Sequence, residues 1–242
     1  CKIVEKALEN DSANTLNRLT DLAKNTILSG DDIYDVMFLP VSENIELITG
    51  GYLVDLLTIP EFKFDGEWWD RDVNDLLTLR DSLYCASGSV NLMSYDSMWC
   101  LFFNENMMAE NQLTPPYDLV REGKWTIDRL YEYCKASASL NGDDNFTYKK
   151  DGKCVWGISS HQNAPQKFWF SAGESSVEPD GNGGMKFMYQ SERFHNVMEK
   201  LAPLLKDGDG YTLKASNTDF DADNGGYVYV FTAGRSLFMT GE

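Results

Sequence analysis

The fold is decided by the stretch from Ser82 to Asn104, SLYCASGSVNLMSYDSMWCLFFN. It passes from a short apolar run through a small, flexible patch and a polar segment, and it closes on an uncharged aromatic run, residues 98–103. An apolar run this short is typical of a strand buried on both faces rather than of a helix. Asn104 predicts the N-cap of a short helix, residues 105–111. The pattern therefore predicts a buried strand that crosses from one lobe into a second.

The residues before this stretch predict a strand–helix–strand unit. Residues 1–8 and 34–39 are apolar enough for strands, and the segment between them carries an apolar helical stripe that ends at Gly30. A unit of this length indicates a right-handed crossover in a parallel sheet. Residues 41–50 are then expected to form a loop and a short helix at the carboxyl end of a central strand, where ligands bind in such sheets. Residues 58–75 are expected to form a surface loop, and residues 76–79 and 83–86 a small hairpin.

The residues after this stretch predict a second set of helices and strands. Thr126 is expected to cap a helix, with Trp125 and Leu130 at the two positions of a hydrophobic staple. Ser191 is expected to cap another helix that Pro203 ends early. Residues 155–159 and 227–231 are interpreted as strands, and residues 234–239 as a second crossing back to the first lobe.

Four stretches resemble a known family in the correct order. They are FFN (102–104) followed by Glu, Asn and two Met; YDVMFLP (34–40) with GYLVDL (51–56); GKWTIDRL (123–130); and FTAGRSLFMTG (231–241). Together they resemble the extracellular solute-binding proteins of the maltose-binding type, which are the ligand receptors of ABC importers. The resemblance covers most of the chain.

The resemblance implies a fold and a location. The expected fold class is α/β of the type II periplasmic-binding kind, with two lobes joined by crossing strands and incomplete at both ends. The expected domains are a partial first lobe at 1–98 to which 235–242 return, a crossing strand at 99–104, and a second lobe at 105–234. The expected location is extracellular, as a cell-surface lipoprotein or a periplasmic protein. Cys1 itself is better interpreted as part of a strand than as a lipid-modified residue.

Composition and charge narrow the classes of partner. The 242 residues carry a formal net charge of −17, which opposes binding to nucleic acid or to an anionic membrane. Five Cys without a CxxC motif and only two His argue against a zinc site, and the Cys side chains are expected to be mostly reduced and packed in the core. A pairing such as Cys85 with Cys100 stays open. The loop 141–152 resembles a calcium loop, but Gly152 stands where a bidentate Glu is needed, so a solvated loop is favoured.

The chain shows no catalytic or cofactor-binding motif. It has no G-x-S-x-G, no Walker or dinucleotide glycine pattern and no HExxH, so we expect a protein that is not an enzyme and that needs no cofactor. The six Trp, the twelve Tyr and the many Asp and Asn suit sugars, because aromatic rings cover the flat faces of a sugar and polar groups bond its hydroxyls.

The candidate ligand contacts come from the resemblance and from the polar and aromatic loops. They are Ser42, Glu43, Tyr95, Asp96, Ser97, His161, Gln162, Trp169 and Trp69. A purely structural role is the alternative for Trp69 and for His161. The expected function is the capture of a small solute, with an oligosaccharide as the first choice. The protein is expected to be a monomer that closes around the solute and then docks on the membrane subunits of an ABC transporter. The alternatives are a secreted carbohydrate-active enzyme of the glycosidase kind and an interaction module without a small ligand.

Overall fold

A computed structural model of the chain describes residues 15–41, 44–92, 95, 98–161, 163–182, 184–206, 209–213 and 226–241. The chain divides into two compact units, Cys1–Leu92 and Met93–Glu242. The described residues form a mixed α/β structure of helices and small sheets. Within these ranges no helix is long and apolar enough to cross a membrane.

The unit Cys1–Leu92 is built from helices and turns. Its helices are α1 (Thr15–Ser29), α2 (Asn44–Thr49) and α3 (Arg71–Leu77), with a short 3-10 helix at Leu56–Thr58. Gly30 ends α1 in the left-handed conformation, as its sequence predicts, with φ of 71°. Lys24 of α1 forms an ion pair with Glu46 of α2.

Side chains bonded to backbone hold the rest of this unit together. The carboxylate of Asp55 accepts hydrogen bonds from the backbone N–H groups of Leu57 and Leu83, at 3.1 and 3.0 Å. The side chain of Asn74 is bonded to both backbone groups of Ser87, at 2.7 and 3.0 Å. These bonds replace the ladder of a sheet, because the described part of this unit contains only isolated bridges.

Three predictions for this unit are wrong or only partly right. Residues 34–39 form no strand, and Val36 and Phe38 are exposed, because β propensity gives a strand only where another strand supplies hydrogen bonds. The surface loop ends at Asp70, whose carboxylate caps α3 by accepting from the Val73 N–H at 3.2 Å. Of the hairpin only a tight turn forms, with one bridge between Leu79 and Ser82. The predicted strand 1–8 lies outside the described residues.

The unit Met93–Glu242 contains the main sheet. Its strands are β1 (Cys100–Phe103), β2 (Trp156–Ser159) and β5 (Ser236–Gly241), in the order β1-β5-β2. β1 runs antiparallel to β5, and β2 runs parallel to β5. β3 (Val177–Pro179) and β4 (Met185–Phe187) form a separate antiparallel hairpin.

Helices surround this sheet. They are α4 (Glu105–Glu110), α5 (Pro116–Arg121), α6 (Ile127–Ser137), α7 (Ala164–Ser171), α8 (Glu192–Leu201), a 3-10 helix at Ala202–Leu205, and α9 (Tyr227–Thr232). The predicted caps at Asn104, Thr126 and Ser191 are confirmed, since each side chain accepts from the N–H three residues later. The interruption of α8 before Pro203 is confirmed as well.

Two strand predictions for this unit need correction. β1 is not buried on both faces; it lies at the edge of the sheet, and its residues alternate between exposed and half-buried. Residues 227–231 form the helix α9 rather than a strand. The sequence YVYVF has high β propensity, but the helix buries Val230 and packs against β2 and β5, so tertiary packing overrides propensity.

The core of this unit lies where α6 crosses β2. A Cβ at Gly157 of β2 would lie 2.1 Å from the carbonyl oxygen of Cys134, so only glycine allows this approach. Cys134 and Cys154 are fully buried free thiols, and burial raises the pKa of the Cys134 thiol. Cys85 is half-buried and Cys100 is exposed, both with free thiols, so the prediction of core-packed cysteines holds for two of the four described.

The loop before β2 is closed by a carboxylate and a guanidinium. Asp143 Oδ2 accepts hydrogen bonds from the backbone N–H groups of Lys153 and Cys154, at 2.6 and 2.8 Å. Arg235 donates to the carbonyls of Lys149, Cys154 and Thr147, at 2.8, 3.0 and 3.2 Å. The guanidinium therefore meets the carbonyl oxygens of the loop that resembles a calcium loop.

The first prediction concerns the tryptophan of the staple. Trp125 packs edge-on against Tyr133, with ring centroids 5.5 Å apart, and lies 5.8 Å from the ring of Phe238. Trp125→Ala should lower the free energy of unfolding by about 3 kcal/mol, as for other large-to-small changes of packed aromatic residues. Urea denaturation measures this loss. Tyr95→Ala, which removes an exposed aromatic ring of the same unit, should change stability by less than about 0.5 kcal/mol.

The second prediction concerns acid stability. The two backbone hydrogen bonds lower the pKa of the Asp143 carboxyl below its ordinary value. Because this pKa is lowered in the folded state, the ionised Asp143 carboxylate stabilises the fold. The stabilisation is fully present above the ordinary pKa of about 3.9 and is lost as the pH falls through the folded value. Asp143→Asn should therefore melt at a lower temperature near neutral pH and lose less stability between neutral pH and the acid range.

Thermal melting from pH 7 downwards tests this. The control is Asp144→Asn, which removes the neighbouring carboxylate and leaves both backbone hydrogen bonds in place. If Asp143→Asn and Asp144→Asn show the same pH profile, the hydrogen bonds of Asp143 do not contribute as stated.

Candidate ligand-binding site

Five aromatic side chains form a continuous surface in the unit Met93–Glu242. We call this group the aromatic platform, and its members are Trp169, Phe170, Phe187, Tyr189 and Phe194. Phe187 is 73% exposed, Phe170 48% and Tyr189 45%. So much aromatic surface in contact with solvent is unusual in one place and indicates a site that binds something.

Three elements bring these rings together. Trp169 and Phe170 lie near the end of α7, Phe187 ends β4, and Phe194 lies in the first turn of α8. Tyr189 lies in the short connection between β4 and α8. It follows Phe187 by two residues, and the two rings stack. The platform therefore depends on the β3–β4 hairpin being held against the two helices.

The hairpin is held by its turn and by one ion pair. Asp180 Oδ1 accepts hydrogen bonds from the backbone N–H groups of Asn182 and Gly184, at 2.7 and 2.9 Å, and these bonds lower the pKa of the Asp180 carboxyl. Across the two strands, Lys186 lies 3.4 Å from Glu178. Both features are short-range, so they fix the local geometry of the hairpin.

The rings meet in two arrangements. Trp169 and Phe170 are stacked, with centroids 5.5 Å apart and planes 12° from parallel, and Phe187 and Tyr189 are stacked at 5.8 Å and 14°. Phe194 joins the two pairs edge-on, 5.2 Å from Trp169 and 5.8 Å from Tyr189. Such contacts stabilise a ring cluster beyond simple burial. The result is two stacked pairs held by one buttressing ring.

An ion pair between a buried carboxylate and an exposed guanidinium links the two helices that carry the platform. The side chain of Glu174, which follows α7, is only 5% exposed and pairs with Arg193 of α8. Arg193 also donates to the carbonyl oxygen of Ala172 at 2.9 Å. A buried carboxylate needs such a partner, so this pair ties the end of α7 to the start of α8.

One polar atom of the platform is left without a bond. The indole Nε1 of Trp169 is buried and has no hydrogen-bond partner among the described residues. Since a buried N–H normally finds a partner, this group is a donor that a small rearrangement could offer to a ligand hydroxyl.

Several residues predicted to bind ligand fall outside the described residues. They are Ser42, Glu43, Asp96, Ser97 and Gln162. Tyr95 is described and exposed. For these positions a role in binding stays a prediction.

The two predicted Trp contacts lie in different units. Trp169 belongs to the platform, whereas Trp69 lies in Cys1–Leu92. Trp69 packs against Phe64 and Phe62, with centroids 4.8 and 5.9 Å apart, while the neighbouring Trp68 is exposed. One ring of these two adjacent tryptophans is therefore packed, and the other lies at the surface.

His161 lies at the carboxyl end of β2. Its Nδ1 accepts a hydrogen bond from the backbone N–H of Asn163 at 3.2 Å, and its ring is 6.1 Å from that of Tyr227 in α9. The residue before it, Ser160, is buried and its N–H donates to the hydroxyl of Tyr148 at 3.1 Å. The half-buried imidazole therefore lies between the end of β2 and the start of α9.

Sequence reasoning missed four members of the platform. Phe170, Phe187, Tyr189 and Phe194 were not among the candidates, although one signal was present. In the run MKFMY, residues 185–189, Phe187 and Tyr189 are two residues apart, which places them on one face of an extended segment. What the sequence could not indicate is that this face meets α7.

The chemistry available at the platform is non-covalent. Flat aromatic rings that lie beside hydrogen-bonding polar groups suit a ligand that has apolar faces and hydroxyl groups at its edges. Among the residues that the structure describes, no group of three His, Cys, Asp or Glu side chains could hold a metal ion. Comparison of the chain with protein-family models, with curated proteins and with solved structures gave no match.

Proposed function

We propose that this chain belongs to an extracellular receptor that captures an oligosaccharide for an ABC importer. The observation that carries the proposal is the aromatic platform, with two stacked ring pairs that are open to solvent. Sugar rings bind to such surfaces by laying their C–H faces on the aromatic rings. The acidic surface, with a net charge of −17, suits a neutral solute better than a nucleic acid or an anionic lipid.

The sheet of Met93–Glu242 supports the architectural part of the proposal. The two segments that the sequence identifies as crossing strands, 99–104 and 234–239, correspond closely to β1 and β5, and these strands pair side by side with Phe103 opposite Phe238. Two adjacent antiparallel strands that are far apart in sequence suit a chain that crosses between two lobes once in each direction. In this proposal, ligand binding is followed by closure of the lobes about these strands.

The third prediction tests sugar binding. Thermal melting of the protein with maltopentaose, cellopentaose and xylopentaose in turn should show a higher melting temperature with at least one of them, because a ligand that binds only the folded state stabilises it. Tyr189→Ala and Phe187→Ala remove one stacked pair. Each should weaken binding by about 1 kcal/mol, roughly fivefold in Kd, measured by calorimetric titration.

The matched control is Trp68→Ala. It removes another exposed aromatic ring, in the unit Cys1–Leu92, and should leave the affinity unchanged. Equal loss in the control and in the platform variants would contradict the proposed site. Chromatography of the sugar after incubation should show it intact; release of shorter sugars would indicate a hydrolase instead.

A further inference from the structure

β1 leaves one edge of the main sheet open. β5 pairs with one side of β1, and in the described part of the chain no strand pairs with the other side. The four residues of β1, CLFF, carry no charge and no proline. Edge strands are usually protected by shortness, by Lys or Pro, or by a bulge, because an open edge attracts another strand. β1 is short, but its four residues include no Lys and no Pro, and its pairing with β5 is regular.

The hydrogen-bond pattern shows which groups point outward. The N–H of Asn104 donates to the carbonyl of Leu237 at 2.9 Å, so Asn104, Phe102 and Cys100 direct their backbone groups towards β5. Alternate residues of an antiparallel strand face opposite sides. The N–H and C=O groups of Leu101 and Phe103 therefore point away from β5, at the spacing that an extended peptide needs.

Two cavities border this edge. One, of about 410 Å³, has Leu101, Phe103, Phe238 and Trp125 in its walls, together with side chains of α5. The other, of about 530 Å³, is lined by β1 residues and by Asn104, Glu105, Asn106 and Phe231. Leu101, Phe103 and Tyr117 border both cavities. An added strand would thus lie beside an apolar cavity and a more polar one.

The charges around the edge favour a basic partner. Glu105 lines the more polar cavity and accepts a hydrogen bond from the hydroxyl of Tyr117 at 3.3 Å. The cation nearest the apolar cavity, Arg121, is paired with Asp118 at 2.7 Å. Glu105 is thus the acidic group available to a ligand, and the whole chain carries −17.

We propose that the open edge of β1 binds an extended peptide segment of another protein by β-augmentation. The peptide is apolar at alternate positions, which fill the cavity beside Leu101 and Phe103, and it carries a basic residue next to Glu105. Main-chain hydrogen bonds to Leu101 and Phe103 supply affinity, and the cavities supply selectivity. A second copy of this chain is disfavoured because it would bring the same negative charge to the edge.

A blocked peptide, acetyl-Lys-Val-Thr-Val-Thr-Val-Lys-amide, serves as the probe. Fluorescence polarisation of a labelled form with the full chain should show saturable binding. A peptide with Glu in place of both Lys should bind at least tenfold more weakly, and raising the salt concentration should reduce that difference.

N-methylation of the peptide tests the main-chain bonds. In an extended peptide the valine amides face one edge and the threonine amides the other. Two methylated peptides are compared, one with N-methyl groups on the valine amides and one with N-methyl groups on the threonine amides. One of them should lose binding at least tenfold, while the other should retain it. If both bind as the parent does, the peptide adheres by apolar contact alone and the proposal is wrong.

A substitution in β1 gives the fourth prediction. Leu101→Pro removes an outward N–H without removing a hydrogen bond to β5, which is the position where an edge strand tolerates proline. It should weaken peptide binding at least tenfold, whereas Leu101→Val, which keeps the N–H, should bind within about threefold of the parent. If Leu101→Pro does not fold, the methylated peptides still decide the question.

The competing occupant of the β1 edge is a second copy of this chain. Sedimentation of the chain alone over a range of concentrations should show no dimer. A dimer that the Leu101→Pro substitution or the probe peptide dissociates would assign the edge to a second copy and overturn the proposal of a basic peptide partner.

Discussion

The unit Met93–Glu242 depends on β5 lying between β1 and β2. All six residues of β5 are buried, and the strand pairs antiparallel on one side and parallel on the other. Arg235, immediately before it, holds the loop 147–154 through three carbonyl groups. The neighbours β1 and β2 therefore complete their hydrogen bonds only through contacts with a strand that is far away in the sequence.

The residues that form the core and the residues that form the proposed binding site therefore lie mostly in different segments of the chain. The residues around β5 form the core, while the aromatic platform lies on α7, the β3–β4 hairpin and α8. Trp169 belongs to both, because it packs against the core cluster as well as against Phe170. Phe187 and Tyr189 have no such second role, so they report on binding more cleanly than Trp169 does. The open edge of β1, on a different part of the same unit, is a surface of a different kind.

The helix caps were predictable because they are local. Asn104, Thr126 and Ser191 each bond to an N–H three residues away, and that relation can be read from consecutive letters. Strands were less predictable. Residues 34–39 and 227–231 are rich in residues with high β propensity, but a strand exists only if another segment lies beside it, and that depends on residues far away in the sequence.

The sequence by itself determined the helix starts at Asn104, Thr126 and Ser191, the mixed α/β class and the acidic charge, and it predicted Trp169 as a ligand contact. Only the tertiary structure decided that Phe187, Tyr189 and Phe194 join Trp169, and that β1 lies at an edge where the backbone groups of Leu101 and Phe103 point away from β5. The physical reason is range. Caps and composition act within a few residues, whereas ring clusters and strand neighbours are set by contacts between segments that only the folded chain brings together.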